Sequence, residues 1–333
     1  LTITSSLSAV YQPRCLPRLE YLLLRSGPLA VRWWNESLAS TASTASMDAA
    51  DATDVAGAAP TVPLTVFLHG FLDTGETWQF LVDEWPEPRP FLALDWRGFG
   101  ASPDTGESYW FPQYYADLDD LLDRVSPGAP VNLIGHSMGG NVALAYAGLR
   151  PERVAAVVSL DGHGLQRTSA GDAVDTYRRW LAQLRGAEPT FGRYPSLEAF
   201  TQVLAKRHPR LRADRLAFIA KAWTRPVEGG YTLAMDPFHK LANPVNYRRD
   251  EMEACWAAIT APMLVLLAEQ GEFRAGLGAD GTMEALRRAY SRGQVVELPG
   301  VTHSLHHQRP AAVAAWLAAF LAGQPLPDIT GVE

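Results

Sequence analysis

Cysteine is scarce in this chain. Only two of its 333 residues are cysteine, Cys15 and Cys255, and no CxxC pair occurs. That argues against a disulfide framework, a zinc ribbon or a redox dithiol and fits a reducing compartment. Charge is modest: 20% of residues are charged and the net charge is −7. A mildly acidic chain has no general attraction for nucleic acid or for an anionic membrane surface. Apolar runs are short, and stretches such as Met263–Ala268 fall well below the ~20 residues that span a bilayer. The first residues lack a basic segment followed by a long apolar core, so no signal peptide is expected there. The expected location is the cytoplasm.

What is present is a core. Hydrophobic residues make up 47% of the chain, and its length suits one large domain or one domain carrying an insertion. Leu19–Arg25 and Leu29–Trp34, joined by Ser26-Gly27-Pro28, read as a hairpin. Ser37 to Thr61 is rich in Ala, Ser, Thr and Asp and reads as a flexible loop. A regular rhythm follows. Strands are expected at Pro63–Leu68, Phe91–Asp95, Val131–Gly135 and Arg153–Leu160. Helices are expected at Glu76–Trp85, Gln113–Val125 and Met138–Leu149. Strands apolar on both faces, alternating with helices, imply a mostly parallel sheet covered by helices. From Leu165 to about Trp256 the rhythm gives way to a helical pattern without a clear strand. It resumes with strands at Met263–Leu267 and Val295–Leu298 and helices at Thr282–Ala289 and Pro310–Leu321. The chain therefore divides into an α/β core, 1–164 and 257–333, and a helical insertion, 165–256.

The chemistry concentrates at a few strand ends. Gly135-His136-Ser137-Met138-Gly139 is a G-x-S-x-G between a strand and a helix, the context that pushes a serine hydroxyl out of the sheet as a nucleophile. A plain structural turn would use the same glycines, but the flanking strand and helix favour the nucleophile. Serine needs a base. Of eight histidines, His303 stands out, because a short glycine-containing loop ties it to the last strand. His69 and His136 read as packing residues and His208 and His239 as structural. His163 is close enough to the sheet edge to touch substrate, and His306 and His307 read as entering the last helix. The acid that orients the base is open between Asp161, directly after "VAAVVSL", and Glu269 or Glu272, after "PMLVLLAEQGE". The backbone N–H groups of Phe71, after "VFLHG", and of Met138 read as an oxyanion hole. Asp95 and Arg97, in "DWRGFGASP", read as loop-shaping residues.

These pieces together resemble the α/β-hydrolase fold, from about Leu19 to Gly323. The ordered motifs are H-G-F at 69–71, D-W-R-G-F-G at 95–100, G-H-S-M-G-G at 135–140 and the P-G-x-x-H that ends at His303. "LDGHGL", "NPVNYRRDE" and "ACWAAITAP" look more narrowly like a serine-hydrolase-like bacterial branch. The resemblance implies a catalytic triad with Ser137 as nucleophile and His303 as general base and acid, Phe71 and Met138 as oxyanion amides, and a helical cap over 165–256. One stretch departs from the pattern: where the family commonly has G-x-x-D, this chain reads Ala268-Glu269-Gln270-Gly271. Some relatives, certain haloalkane dehalogenases among them, carry the acid after the preceding strand. Asp161 fits that placement and is the expected third member, with Glu272 as the alternative.

The implied activity is hydrolysis of a carboxylic ester through an acyl-enzyme, with no metal and no organic cofactor. Lactone, amide, carbon–carbon or perhydrolase chemistry on the same residues, and a non-catalytic ligand-binding protein on the same fold, are the alternatives. Trp180, Phe191, Trp223, Tyr231 and Phe238 suggest an apolar pocket for a medium-chain or aromatic acyl group. The expected partner is a small-molecule acyl substrate, and the expected state a monomer or homodimer.

Overall fold

The computed structural model describes residues 10–38 and 62–328. The short apolar runs become strands β1 (Arg18–Leu24), β2 (Gly27–Trp34), β3 (Thr65–Leu68), β4 (Phe91–Leu94), β5 (Val131–His136), β6 (Val154–Leu160), β7 (Thr224–Val227), β8 (Gly230–Leu233), β9 (Met263–Ala268) and β10 (Gln294–Leu298). The helices are α1 (Gln79–Asp83), α2 (Phe111–Val125), α3 (Met138–Leu149), α4 (Ala173–Leu184), α5 (Leu197–Arg207), α6 (Ala213–Ala222), α7 (Arg249–Ala257), α8 (Glu272–Ala275), α9 (Met283–Ala289), α10 (Leu305–Gln308) and α11 (Pro310–Leu321).

Eight strands form one sheet in the order β1-β2-β4-β3-β5-β6-β9-β10. The β1–β2 and β2–β4 pairs are antiparallel and all the others parallel. Every residue of β3, β4, β5 and β9 is buried, as expected where helices cover both faces of a parallel sheet. Leu121 of α2 and Val142 of α3 pack on one face. Trp78, Val313 and Leu317 pack on the other. The expected α/β-hydrolase architecture, with its mostly parallel sheet, is thus the observed one.

Details differ from the sequence reading. The expected helix over Glu76–Trp85 opens as a 3₁₀ turn, Gly75–Trp78, before α1. The segment between β6 and β9 is not purely helical: α4 to α7 are interrupted by the hairpin β7–β8. Its strands are four residues each and half-exposed, apart from exposed Pro226, so no apolar alternation marked them. The turn did carry a signal, since Gly229 and Gly230 both sit at positive φ (78° and 144°), where side chains are disfavoured. A separate apolar cluster, including Phe200, Leu204 and Ile219, seats this segment on the core through Phe80. Most of the loop expected over 37–61 lies outside the described residues; Glu36–Leu38 form a 3₁₀ turn.

Candidate active site

Ser137 occupies the single-residue link between β5 and α3, with φ 51° and ψ −114°. A non-glycine residue in such a region costs on the order of 1–3 kcal/mol and persists only where its surroundings over-determine it. They do here. Its N–H donates to the Leu160 carbonyl at 2.9 Å, and its carbonyl accepts from Asn141 N–H at 3.0 Å. The motif glycines are steric requirements. A Cβ on Gly135 would lie 2.2 Å from the Gly139 oxygen, and one on Gly139 would lie 2.0 Å from the Leu68 oxygen. Gly70 also has to be bare, because a Cβ there would sit 2.8 Å from His136 Nδ1 and 3.1 Å from Ser137 Cβ. That close approach carries the chain after β3, and with it Phe71, alongside the serine. Met138 opens α3, so its N–H has no helical acceptor of its own.

The loop from β10 to α10 carries His303. Its Nδ1 lies 2.7 Å from Asp161 Oδ2. An ionised carboxylate only accepts, so Nδ1 carries the proton and Nε2 keeps its lone pair. Asp161 directly follows β6, at φ 51°, a conformation Asp tolerates better than most residues. Its carboxylate is buried, and Oδ1 accepts from Ala268 N–H at 2.9 Å. Gly271, which stands where the family commonly has its acid, leaves room for this arrangement: a Cβ there would lie 2.9 Å from Asp161 Oδ2. Glu272, the alternative acid, is exposed at the start of α8 and lines a neighbouring cavity. Among the described residues, the carboxylate hydrogen-bonded to the His303 ring is Asp161.

His136 buttresses this corner. Its Nε2–H donates to the His303 carbonyl at 2.9 Å, and the two rings lie 4.7 Å apart. Burial keeps its pKa well below the usual histidine value, so it stays neutral. Phe273 meets the His303 ring edge-on at 4.5 Å.

The remaining candidates have other tasks. His69 accepts from Trp96 N–H at 2.9 Å and donates to the Gly70 carbonyl at 2.8 Å. Asp95 pairs with Arg32 at 2.8 Å and accepts from the amides of Gly75 and Ala101, and Arg97 pairs with Asp117. His239 stacks on Tyr109 at 3.6 Å. His163 is buried with its Nε2 3.9 Å from Asp161 Oδ1.

A cavity of about 260 Å³ opens beside His303. It is walled by Phe71, Phe200, Leu204 and Trp223, with Arg207, His208 and Glu272 among its polar lining. Of the five aromatics suggested by the sequence, Trp223 lines it. Trp180 instead donates to Ser108 at 2.8 Å, Phe191 lies under the Lys240 ammonium, Tyr231 pairs with Pro226 in the hairpin, and Phe238 packs on the main core. Aromatic content alone does not say which side chains will face a cavity; of these five only Trp180 lies within an α-helix. His306 and His307, expected to enter the last helix, sit on the short helix α10 just ahead of α11, and Asp73 lies beside them. Asp73 accepts from Thr74 N–H, Thr77 Oγ1 and Trp223 Nε1, and both histidines are buried on α10. The signal was the HxxHH spacing after the last strand.

A sequence-family model described as the alpha/beta hydrolase family matches residues 65–316. A serine hydrolase-like protein of Danio rerio is 30% identical over 272 residues, covering 79% of this chain and 82% of its own length. A 2-(acetamidomethylene)succinate hydrolase of Mesorhizobium japonicum is 25% identical over 261 residues, covering 78% and 88%. Among solved structures, a hypothetical protein of Pseudomonas aeruginosa superposes with a TM-score of 0.74 at 25% identity, covering 91% of this chain and 99% of that one. The match spans the strands that carry Phe71, Ser137, Asp161 and His303, and on it the chain belongs to the α/β-hydrolase family.

Proposed function

We propose that the protein hydrolyses a carboxylic ester through an acyl-enzyme, with Ser137, His303 and Asp161 as the catalytic triad. The observation that carries this reading is the 2.7 Å contact of a buried Asp161 carboxylate with His303 Nδ1. It leaves Nε2 as the free base at the sheet end where Ser137 is held in a strained turn. Ser137 Oγ attacks the ester carbonyl carbon as His303 Nε2 takes its proton, and the tetrahedral oxyanion sits against the N–H groups of Phe71 and Met138. Loss of one such donor costs about 10²–10³ in kcat. Collapse breaks the C–O bond, and His303 protonates the departing alcohol. A water then attacks the acyl-enzyme, giving its proton to His303, which returns it to Ser137 Oγ as the acid leaves.

The segment 165–256 acts as the cap. It supplies Phe200, Leu204, Arg207, His208 and Trp223 to the cavity wall and so governs which acyl group enters. At about 260 Å³ the cavity lies just below the usual range for ligand pockets, about 300–1,000 Å³, which favours short to medium acyl chains. No described helix is long and apolar enough to cross a membrane.

The test is a p-nitrophenyl ester series of increasing acyl length, beside fluorophosphonate labelling. Turnover that peaks at short to medium chains, with labelling of Ser137 and loss of both in Ser137→Ala, is expected. Folded protein that neither labels nor turns over any ester would overturn the reading in favour of a ligand-binding protein.

A further inference from the structure

Behind His303 the chain buries a second polar cluster that the triad does not use. Asp73 comes from the loop after β3, His136 from the end of β5 and His306 from α10, and one ligand atom of each lies within 4.8 Å of the others. All three are at least nine-tenths buried, at 3%, 5% and 1% exposure. Their hydrogen bonding is lopsided. Asp73 Oδ1 takes three donors: Thr74 N–H at 2.8 Å, Thr77 Oγ1 at 2.7 Å and Trp223 Nε1 at 2.7 Å. Oδ2 faces His306 Nε2 at 3.9 Å and His307 Nε2 at 3.5 Å, beyond hydrogen-bond range or at its limit. His136 Nδ1 and both ring nitrogens of His306 and of His307 have no hydrogen-bond partner among the described residues. Three buried imidazoles beside one carboxylate, with five ring nitrogens lacking a hydrogen bond among the described residues, call for something from outside the chain.

We infer that Asp73, His136 and His306 form a site for a divalent first-row transition cation of the zinc class, bound through Asp73 Oδ2, His136 Nδ1 and a ring nitrogen of His306. Two imidazoles and a carboxylate are a donor set such ions prefer. The supporting hydrogen bonds are those of a metal site. A ligating histidine donates its other N–H to a carbonyl, and a ligating carboxylate is itself held by donors. His136 Nε2–H on the His303 carbonyl and the three donors on Asp73 Oδ1 supply both features. Bonds of about 2.0–2.1 Å put tetrahedral ligand atoms about 3.3 Å apart, so closure on the ion takes side-chain shifts on the order of 1 Å. His307 or a water completes the shell. Asp73, His136 and His307 line the cavity beside His303, which gives the ion its way in. The ester chemistry needs no metal, and this site stands whether or not that chemistry is found.

The test uses the full-length protein freed of any affinity tag. It is equilibrated with Zn²⁺, gel-filtered and assayed by mass-spectrometric metal counting, and in parallel loaded with Co²⁺ for its visible spectrum. One equivalent of retained zinc and a tetrahedral-type Co²⁺ d–d band are expected. His306→Gln and Asp73→Asn should lose the equivalent, and Trp223→Phe, which removes only a donor to Asp73, should weaken binding about 10–100-fold. No retained zinc and no d–d band in the wild-type protein would overturn the site and leave the orphaned nitrogens to ordered water. So would wild-type affinity in both His306→Gln and Asp73→Asn. The Co²⁺ spectrum of the wild type decides the matter even if a variant fails to fold.

Discussion

Replacing Asp161 by Asn tests the proposed triad in a way the structure makes specific. Asp161 Oδ1 accepts from Ala268 N–H at 2.9 Å, and Oδ2 faces His303 Nδ1 at 2.7 Å. An Asn side chain has one oxygen and one NH₂. The Ala268 amide can only donate, so the Asn oxygen must turn to it and the NH₂ must face His303. Imidazole Nδ1 then has to accept, which puts the ring proton on Nε2 and removes the base from Ser137. The fold should survive, because Asn tolerates the positive φ (51°) of this position as readily as Asp does. The same exchange in a Ser-His-Asp protease lowers kcat about 10⁴-fold, equivalent to about 5.4 kcal/mol at about 1.36 kcal/mol per factor of ten. The expected result on a p-nitrophenyl ester is a kcat loss of that order with KM within a few-fold and an unchanged melting temperature. Glu272→Gln, at an exposed residue, should stay near wild type. If Asp161→Asn keeps activity within tenfold while Glu272→Gln loses it, the assignment of the acid is wrong.

Other expectations follow from named contacts. Ser137→Gly removes both the hydroxyl and the cost of its positive φ, so it should be inactive yet melt a few degrees higher, a gain of roughly 1 kcal/mol; a lower melting temperature would refute stored strain at the turn. Gly271→Ala pushes a Cβ to within 2.9 Å of Asp161 Oδ2 and should lower kcat while leaving ester KM little changed, checked by steady-state kinetics. Gly139→Ala meets backbone, the Leu68 oxygen at 2.0 Å, and should cost about 1–3 kcal/mol or more in a denaturant titration. Burial first of all pushes His239 down to about 4 from near 6.5. A folded-state pKa below the unfolded one means its contribution is complete above about pH 6.5 and lost as pH falls toward 4. On the order of 3 kcal/mol is at stake, with buried His136 and His307 shifted in the same direction. Melting temperatures that stay level from pH 7 to 4.5 would contradict this.

Local pattern made much of the molecule legible. Buried parallel strands must be apolar on both faces, so runs such as Val131–Gly135 and Met263–Leu267 announced themselves. A serine forced into a positive-φ turn needs small neighbours, so Gly135 and Gly139 flagged Ser137 before any fold was drawn. The β7–β8 hairpin went unread because half-exposed four-residue strands leave no alternation. Of the five aromatics read as pocket wall, Trp223 lines the cavity and the other four do not, because residue type alone does not say which side chains a fold turns toward a cavity.

The sequence by itself determined the sheet–helix rhythm, the strained serine turn and the late histidine, because each rests on steric rules acting over a few neighbouring residues. The tertiary structure alone decided which acid meets His303, which residues of 165–256 wall the cavity, and that Asp73, His136 and His306 converge. Those are distances between segments up to 233 residues apart (306 − 73), set by strand order and helix docking, which no local pattern encodes.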